Sequence, residues 1–278
     1  ASMAARSTRR SKIRRMALID PVLLKTRLGN QAGRFDVDAL DECDSTNSEL
    51  LRRAEGGAPS GSVVVADRQS AGRGRRGRQW LSTPEASLTF SLLWRFSGNA
   101  STLSGLSLAV GVALAQAMEN LGAQGVCLKW PNDVLLRSGD DFAKLAGILI
   151  ELSSDRRGTQ AIIGIGLNLA PPSDDLPQPA AGLSQACPLP LDRHDVLAAI
   201  LGQLAAVLDD FTVNRFLGLK IKWQRYHAWQ DQAVQILGDG EDPKRGRCLG
   251  VDDDGALLLE TATGIERIFS GDVSLRRA

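Results

Sequence analysis

Apolar positions along this chain follow two periods, and the change from one to the other marks out its elements. Arg34 to Leu40 alternates, with Phe35, Val37 and Ala39 on one side, which predicts a strand. Asp44-Ser45-Thr46-Asn47 then offers capping side chains ahead of Glu49–Ala54, and Gly56-Gly57 closes a short predicted helix. Val63–Ala66 and Leu88–Phe96 read as further strands. Leu103, Leu106, Val110, Leu114, Met118 and Leu121 recur at helical spacing, predicting a helix over 102–121 that Gly122 stops. Strand patterns return at Val126–Trp130, Val134–Arg137, Leu145–Leu152 and Ala161–Leu167. The Pro-rich stretch 170–190 predicts loop. Val196, Ile200, Leu204, Val207, Leu208 and Phe211 predict a helix over 192–211, and a third runs over about 214–227. Beyond 231 only short strand patterns remain, divided by turns such as Asp252-Asp253-Asp254-Gly255. The pattern is an α/β body (34–230) followed by a small β-barrel (231–278).

Composition changes this picture at one end only. The 278 residues are 43% hydrophobic and 23% charged, as in a globular protein with a sizeable core. The net charge of +1 hides an asymmetry: Arg6, Arg9, Arg10, Lys12, Arg14 and Arg15 leave the rest of the chain net acidic, at −5. Residues 1–33 show no strong period and are expected to be a basic, disordered tail. No apolar segment follows the basic cluster, which argues against a secretory signal, and no run of 18 apolar residues predicts a membrane helix. Cys43, Cys127, Cys187 and Cys248 are far apart and only two histidines occur, a poor pattern for zinc; reduced thiols of a cytoplasmic protein are expected.

Candidate chemistry concentrates in a few segments. Gly72-Arg73-Gly74-Arg75-Arg76-Gly77-Arg78-Gln79-Trp80 follows a predicted strand. Its glycines let backbone approach a ligand, its arginines carry forked donors suited to phosphate or carboxylate, and Trp80 offers a flat face for a base. The segment satisfies the G-x-G-x-x-G dinucleotide pattern, but Pro84 and a strand follow where that pattern needs a helix. A nucleic-acid contact and a loop folded over a nucleotide phosphate and a second anion are the other readings, beside a plain solvated basic loop. Lys129-Trp130-Pro131-Asn132-Asp133 reads as a turn between strands. Lys144 heads an apolar strand with Gly147 three residues on, and Gly164-Ile165-Gly166-Leu167-Asn168 closes the set.

In this order, with Asp44-Ser45-Thr46-Asn47 ahead of them and Gly255–Glu260 and Gly271–Arg276 behind, these motifs resemble the signature set of biotin protein ligases over residues 35 to 277. The resemblance implies a class II aminoacyl-tRNA synthetase-like α/β (α+β) domain, a mixed, mostly antiparallel sheet with helices on one face, plus a C-terminal SH3-like β-barrel. It implies that biotin and ATP, with Mg²⁺, form biotinyl-5'-AMP, from which biotin passes to a lysine of a biotin carboxyl carrier protein, such as that of acetyl-CoA carboxylase. Arg73, Arg75, Lys144 and Asp133 are then the catalytic candidates, with Asp133 orienting the acceptor lysine. Ser45, Thr46, Asn47, Gln69, Arg73, Gly74, Arg75, Lys144 and Gly147 would hold biotin. Arg75, Arg76, Trp80, Asn132, Lys144 and Asn168 would hold the nucleotide. No dedicated metal ligands are expected, nor is a membrane or DNA partner; a weak homodimer fits the family. Some members carry an N-terminal winged helix that represses biotin-synthesis genes; with strand residues beginning near Phe35, the expectation here is a ligase without it. A lipoate–protein ligase and a non-catalytic nucleic-acid-binding protein remain the alternatives.

Overall fold

The alternating segments of the body pair into one seven-stranded sheet. Its strands are β1 (Asp36–Cys43), β2 (Ser62–Gln69), β3 (Ser87–Phe96), β4 (Val126–Lys129), β5 (Asp133–Ser138), β6 (Asp141–Asp155) and β7 (Gly158–Asn168), in the order β1-β2-β3-β7-β6-β5-β4. The computed structural model describes residues 17–156, 158–172, 178–238, 242–271 and 273–278. Only β1 and β2 are parallel, joined by a crossover through a helix; every other neighbour pairs antiparallel.

The helices are α1 (Pro21–Leu28), α2 (Thr46–Glu55), α3 (Leu106–Asn120), α4 (Arg193–Asn214) and α5 (Lys220–Tyr226). Along β3 the residues Leu88, Phe90, Leu92, Trp94 and Phe96 enter the main core with α3 and α4, while Leu93 turns to the other face. There it packs with Val64 and Ile162 against Leu50 and Ala54 of α2. The expectation of helices on one face is therefore corrected: α2 covers part of the opposite face. The cause is visible in β2 and β7, whose apolar runs Val63–Ala66 and Ala161–Leu167 do not alternate and need cover on both sides.

The N-terminal expectation is also corrected in part. Asp20 caps Val22 N–H at 2.8 Å, Pro21 starts α1, and Leu24 and Leu28 are buried. Arg27–Asp195 (3.1 Å) and Arg34–Asp209 (2.8 Å) fasten this segment to α4. Eight residues were too few for a legible period, so ordered structure from residue 17 was missed; the basic cluster Arg6–Arg15 lies outside the described residues. Helix α3 begins at Leu106 rather than 102 because Gly105 turns left-handed (φ 77°), where a Cβ would come within 2.7 Å of Phe216. The segments Ala100–Asn120 and Arg193–Asn214 are long and apolar enough to cross a membrane. Here both spend that surface on the core.

Beyond the body, β8 (Ala233–Leu237), β9 (Lys244–Val251), β10 (Leu257–Thr261), β11 (Gly264–Ile268) and β12 (Ser274–Arg277) form an antiparallel sheet ordered β11-β10-β9-β8-β12. Several bonds seat it on the body. Trp130 Nε1 donates to Gly255 O (3.1 Å) and Ser104 Oγ to Asp254 O (2.7 Å), while Ala228 N–H, just ahead of the sheet, donates to Leu128 O (2.9 Å).

His227 lies at this seat, buried with its ring 4.5 Å from that of Trp223. Burial pushes its pKa down to about 4, with the Gln230 side chain opposing. The neutral ring is thus the folded form, and the unfolded chain takes up the proton first, near 6.5. Stability is complete above that value and drains away as pH falls towards 4, by about 3 kcal/mol from this residue. In melting curves between pH 7 and 4, His227→Phe is expected to lose less stability than wild type; parallel losses would refute the assignment.

Candidate active site

The site lies on the α2 face of the sheet, and small residues make room for it. In β7, Gly164 and Gly166 are two residues apart and so share a face. A Cβ on Gly164 would come within 2.2 Å of Asn47 Oδ1, and one on Gly166 within 2.2 Å of the Trp80 ring. Asn47 and Trp80 therefore lie directly on the strand because those two positions lack side chains. The family motif drew attention to this segment, but the glycines' role as a floor was missed; their spacing of two was the available signal.

A narrow slot of about 50 Å³ opens there. Ser45, Thr46 and Asn47 at the start of α2, Gln69 at the end of β2, Arg73, Gly74 and Arg75 of the Gly/Arg loop, Lys144 and Gly147 all line it. Its polar wall is a connected network. Gln69 Oε1 accepts from Thr46 N–H (2.8 Å). The buried Ser91 hydroxyl donates to Asn47 Oδ1 (2.6 Å) and lies 2.8 Å from Thr46 Oγ1. Asn47 Nδ2 donates to Glu151 Oε2 at 2.9 Å. Ser91 was not singled out in the sequence, because a serine inside an apolar strand carries no motif.

A broader cavity of about 600 Å³ adjoins the slot, and Gly74, Arg75, Trp80, Asn132 and Lys144 line both. Arg76, Arg78, Asp133, Asn168 and, from β12, Arg276 line the broad one. Arg276 was also missed: nothing local marks a terminal-strand arginine as facing a cavity of the body. Arg73, a catalytic and biotin-holding candidate, lies at the slot. Its guanidinium is bound to Glu151 (2.8 Å) and Ser48 (3.4 Å), and it lines only the slot. Asn168 Nδ2 donates to Ala181 O (3.1 Å), tying β7 to the following loop.

Lys144 reaches the site through an irregularity. Opposite β5, Val134 faces Ala146 but Leu135 faces Lys144, so Leu145 is an extra residue in β6. This bulge puts Lys144 on the same face as Gly147, where a Cβ would meet the Lys144 ammonium at 3.3 Å. The ammonium lies 2.7 Å from Asp133 Oδ1 and over the Trp80 ring at 5.8 Å. Lys129 Nζ takes the other oxygen, Asp133 Oδ2, at 3.0 Å. Burial would raise the Asp133 carboxyl, but Lys144 and Lys129 override it and hold its pKa at about 2. The Gly/Arg loop closes over this region: Arg75 Nη1 donates to Asn132 Oδ1 (3.0 Å) and Nη2 to Gly271 O (2.6 Å).

In this mixed sheet a narrow polar slot thus opens, past Arg75 and Lys144, onto a broad cavity. A family model described as the Biotin/lipoate A/B protein ligase family matches residues 41–168, and one described as Biotin protein ligase C terminal domain matches 231–276. The chain is 36% identical over 268 residues to the bifunctional ligase/repressor BirA of Salmonella typhimurium, covering 94% of this chain and 82% of that one. It is 35% identical to the biotin–[acetyl-CoA-carboxylase] ligase of Paracoccus denitrificans, covering 84% of this chain and 98% of that protein. The biotin protein ligase from Aquifex aeolicus in complex with biotin and ATP superposes with a TM-score of 0.74 at 33% identity, over 87% of this chain and 99% of that one. The fold is thus that of the biotin/lipoate protein ligase class. Within that class, the chain belongs to the biotin protein ligase family.

One consequence is local to the floor. Gly166→Ala is expected to push Trp80 off β7 and raise the KM for ATP about 10-fold or more, since the added methyl has nowhere to go. An unchanged KM would show that Trp80 does not cover the nucleotide.

Proposed function

We propose that this protein is a biotin–[acetyl-CoA-carboxylase] ligase that joins biotin to a carrier lysine through biotinyl-5'-AMP. The observation carrying this reading is that Arg75, Asn132 and Lys144 line the slot and the broad cavity together, so the two compartments meet at cations. Biotin enters the slot, its ureido end against Ser45, Thr46, Asn47 and Gln69 and its carboxylate towards the backbone of Arg73–Arg75 and the Lys144 ammonium. ATP occupies the broad cavity with its adenine against Trp80, near Asn132 and Asn168, and its phosphates towards Arg75, Arg76 and Lys144. Mg²⁺ would enter with ATP and offset part of the phosphate charge there.

In the first step a biotin carboxylate oxygen attacks the α-phosphorus, and the bond to the β-phosphate's bridging oxygen breaks, releasing pyrophosphate. In the second the acceptor amine attacks the acyl carbon, the carbon–oxygen bond to AMP breaks, and the amine loses its proton. Arg75 and Lys144 offset the negative charge that gathers at the α-phosphate, and the loop holds the two anions in line. Asp133 receives the entering ammonium of the carrier lysine. The body, 34–230, is class II synthetase-like, and 231–278 is an SH3-like barrel that brings Arg276 to the nucleotide and helps dock the carrier.

The test is pyrophosphate release from ATP with biotin, with lipoate and with neither, followed by mass analysis of a biotin carboxyl carrier domain. Biotin-dependent release and a single labelled lysine are expected. Release driven by lipoate, or none with either acid, would overturn the proposal.

A further inference from the structure

The pairing of Lys129, Asp133 and Lys144 assigns a task to a residue that the reaction scheme has not used. Lys144 is asked to grip the anions, yet its ammonium is bound to Asp133 at 2.7 Å. The Asp133 side chain is only 13% exposed, so it is poorly placed to exchange a lost partner for water. Lys129 is more deeply buried still, at 7%, and holds the second carboxylate oxygen at 3.0 Å. Its position is fixed from behind: its ammonium lies 5.6 Å from the centre of the Trp229 ring, in the segment where the C-terminal sheet joins the body. Trp229 is braced in turn edge-on by Phe142.

We propose that Lys129 is a positioning residue, the standing counter-ion of Asp133 that releases Lys144 to the substrate anions. The inference rests on the ligase reading given above. In the resting cluster two ammonium groups share one carboxylate, leaving one positive charge in excess. When biotin carboxylate or an ATP phosphate arrives, Lys144 turns to it, and Lys129 with Asp133 remains as a neutral buried pair. Without Lys129 the same movement would strand a buried carboxylate, so Lys144 would stay with Asp133 and reach the substrates poorly. Lys129 lines the same broad cavity as Lys144, but its ammonium lies between its 3.0 Å bond to Asp133 and the Trp229 ring at 5.6 Å, contacts that hold it in place when Lys144 turns to the substrates. The charged groups facing this cluster are Asp133, Lys144 and Arg276; burial pushes the Lys129 ammonium down and Asp133 opposes that shift.

The test uses the full chain and reads the first step alone, biotin-dependent pyrophosphate release, with melting temperatures checked for every variant. Lys129→Met is expected to lower kcat/KM for release about 10- to 100-fold, the scale of a misplaced catalytic group. Lys129→Arg, which keeps the charge, should recover most of that loss. The decisive variant is Lys129→Met combined with Asp133→Asn: with the carboxylate neutral, Lys144 has nothing to be trapped by. Release should then rise at least several-fold above Lys129→Met, although the transfer step, which uses Asp133, need not recover. If the double variant is no better than Lys129→Met, or if Lys129→Met releases pyrophosphate like wild type, the inference is overturned. Should Lys129→Met fail to fold, the comparison of Lys129→Arg and the double variant with wild type decides: a double variant as active as Lys129→Arg supports it, and one reduced about 100-fold below Lys129→Arg overturns it. Absence of biotin-dependent release from the wild type would instead sink the ligase reading itself.

Discussion

Lys144→Ala is expected to slow biotin-dependent pyrophosphate release by about 10²–10³-fold, the usual loss when one preorganised cation or donor is removed from a transition state. The bulge at Leu145 aims this ammonium at the boundary between the slot and the nucleotide cavity. Arg75 is the other cation lining both compartments, and its guanidinium is already engaged with Asn132 and Gly271. Folding should survive the change, because Asp133 keeps Lys129 at 3.0 Å and is not left as an unpaired buried charge. The measurement is single-turnover pyrophosphate release at saturating biotin and ATP, with a melting curve beside it. Release within a few-fold of wild type would remove Lys144 from the first step.

Arg75→Gly should act on retention of the intermediate in addition to slowing the first step. The Arg75 guanidinium ties the Gly/Arg loop to Asn132 at one side and to Gly271 of the C-terminal sheet at the other. Within the loop, Gly74 N–H bonds Arg78 O at 2.8 Å and Trp80 N–H bonds Gly72 O at 3.0 Å, so the loop has its own shape; Arg73 fastens it to Glu151 at the slot, and Arg75 fastens it over the cleft to Asn132 and Gly271. Losing two charge-assisted bonds should speed escape of biotinyl-AMP about 10- to 100-fold. Free adenylate then accumulates in a quenched reaction, and lysines of a bystander protein become labelled. Labelling confined to the carrier, with no adenylate in solution, would show that something other than Arg75 holds the intermediate.

Much of the architecture could be read from residue order because it depends on local periods. The spacing of Val196, Ile200, Leu204, Leu208 and Phe211 requires a helix with one apolar stripe, and α4 covers them. The hydrophobic alternation from Leu88 to Phe96 sends Phe90 and Leu92 to the main core. Where the period was ambiguous, the reading failed. Val63, Val64 and Val65 form a run without alternation, and such a run does not say which helix covers which side. Helix α1 was overlooked because its exposed Val22 and Leu23 blur the stripe that Leu24 and Leu28 make.

The candidate site divides in the same way. Its residue types were legible, since glycines, arginines, a lone lysine and capping side chains have recognisable chemistry in short segments. Ser91 and Arg276 were not, because each acquires its neighbours only when distant strands come together. By itself the order of residues determined most of the strands and the long helices, and which segments carried the means to hold an acid and a nucleotide. Lys144 and Gly147, three residues apart, should by strand alternation lie on opposite faces; the tertiary structure alone decided that they share one. The pairing of β6 with β5 accommodates the extra residue Leu145, and a bulge exists only against a partner strand, which no local pattern can supply.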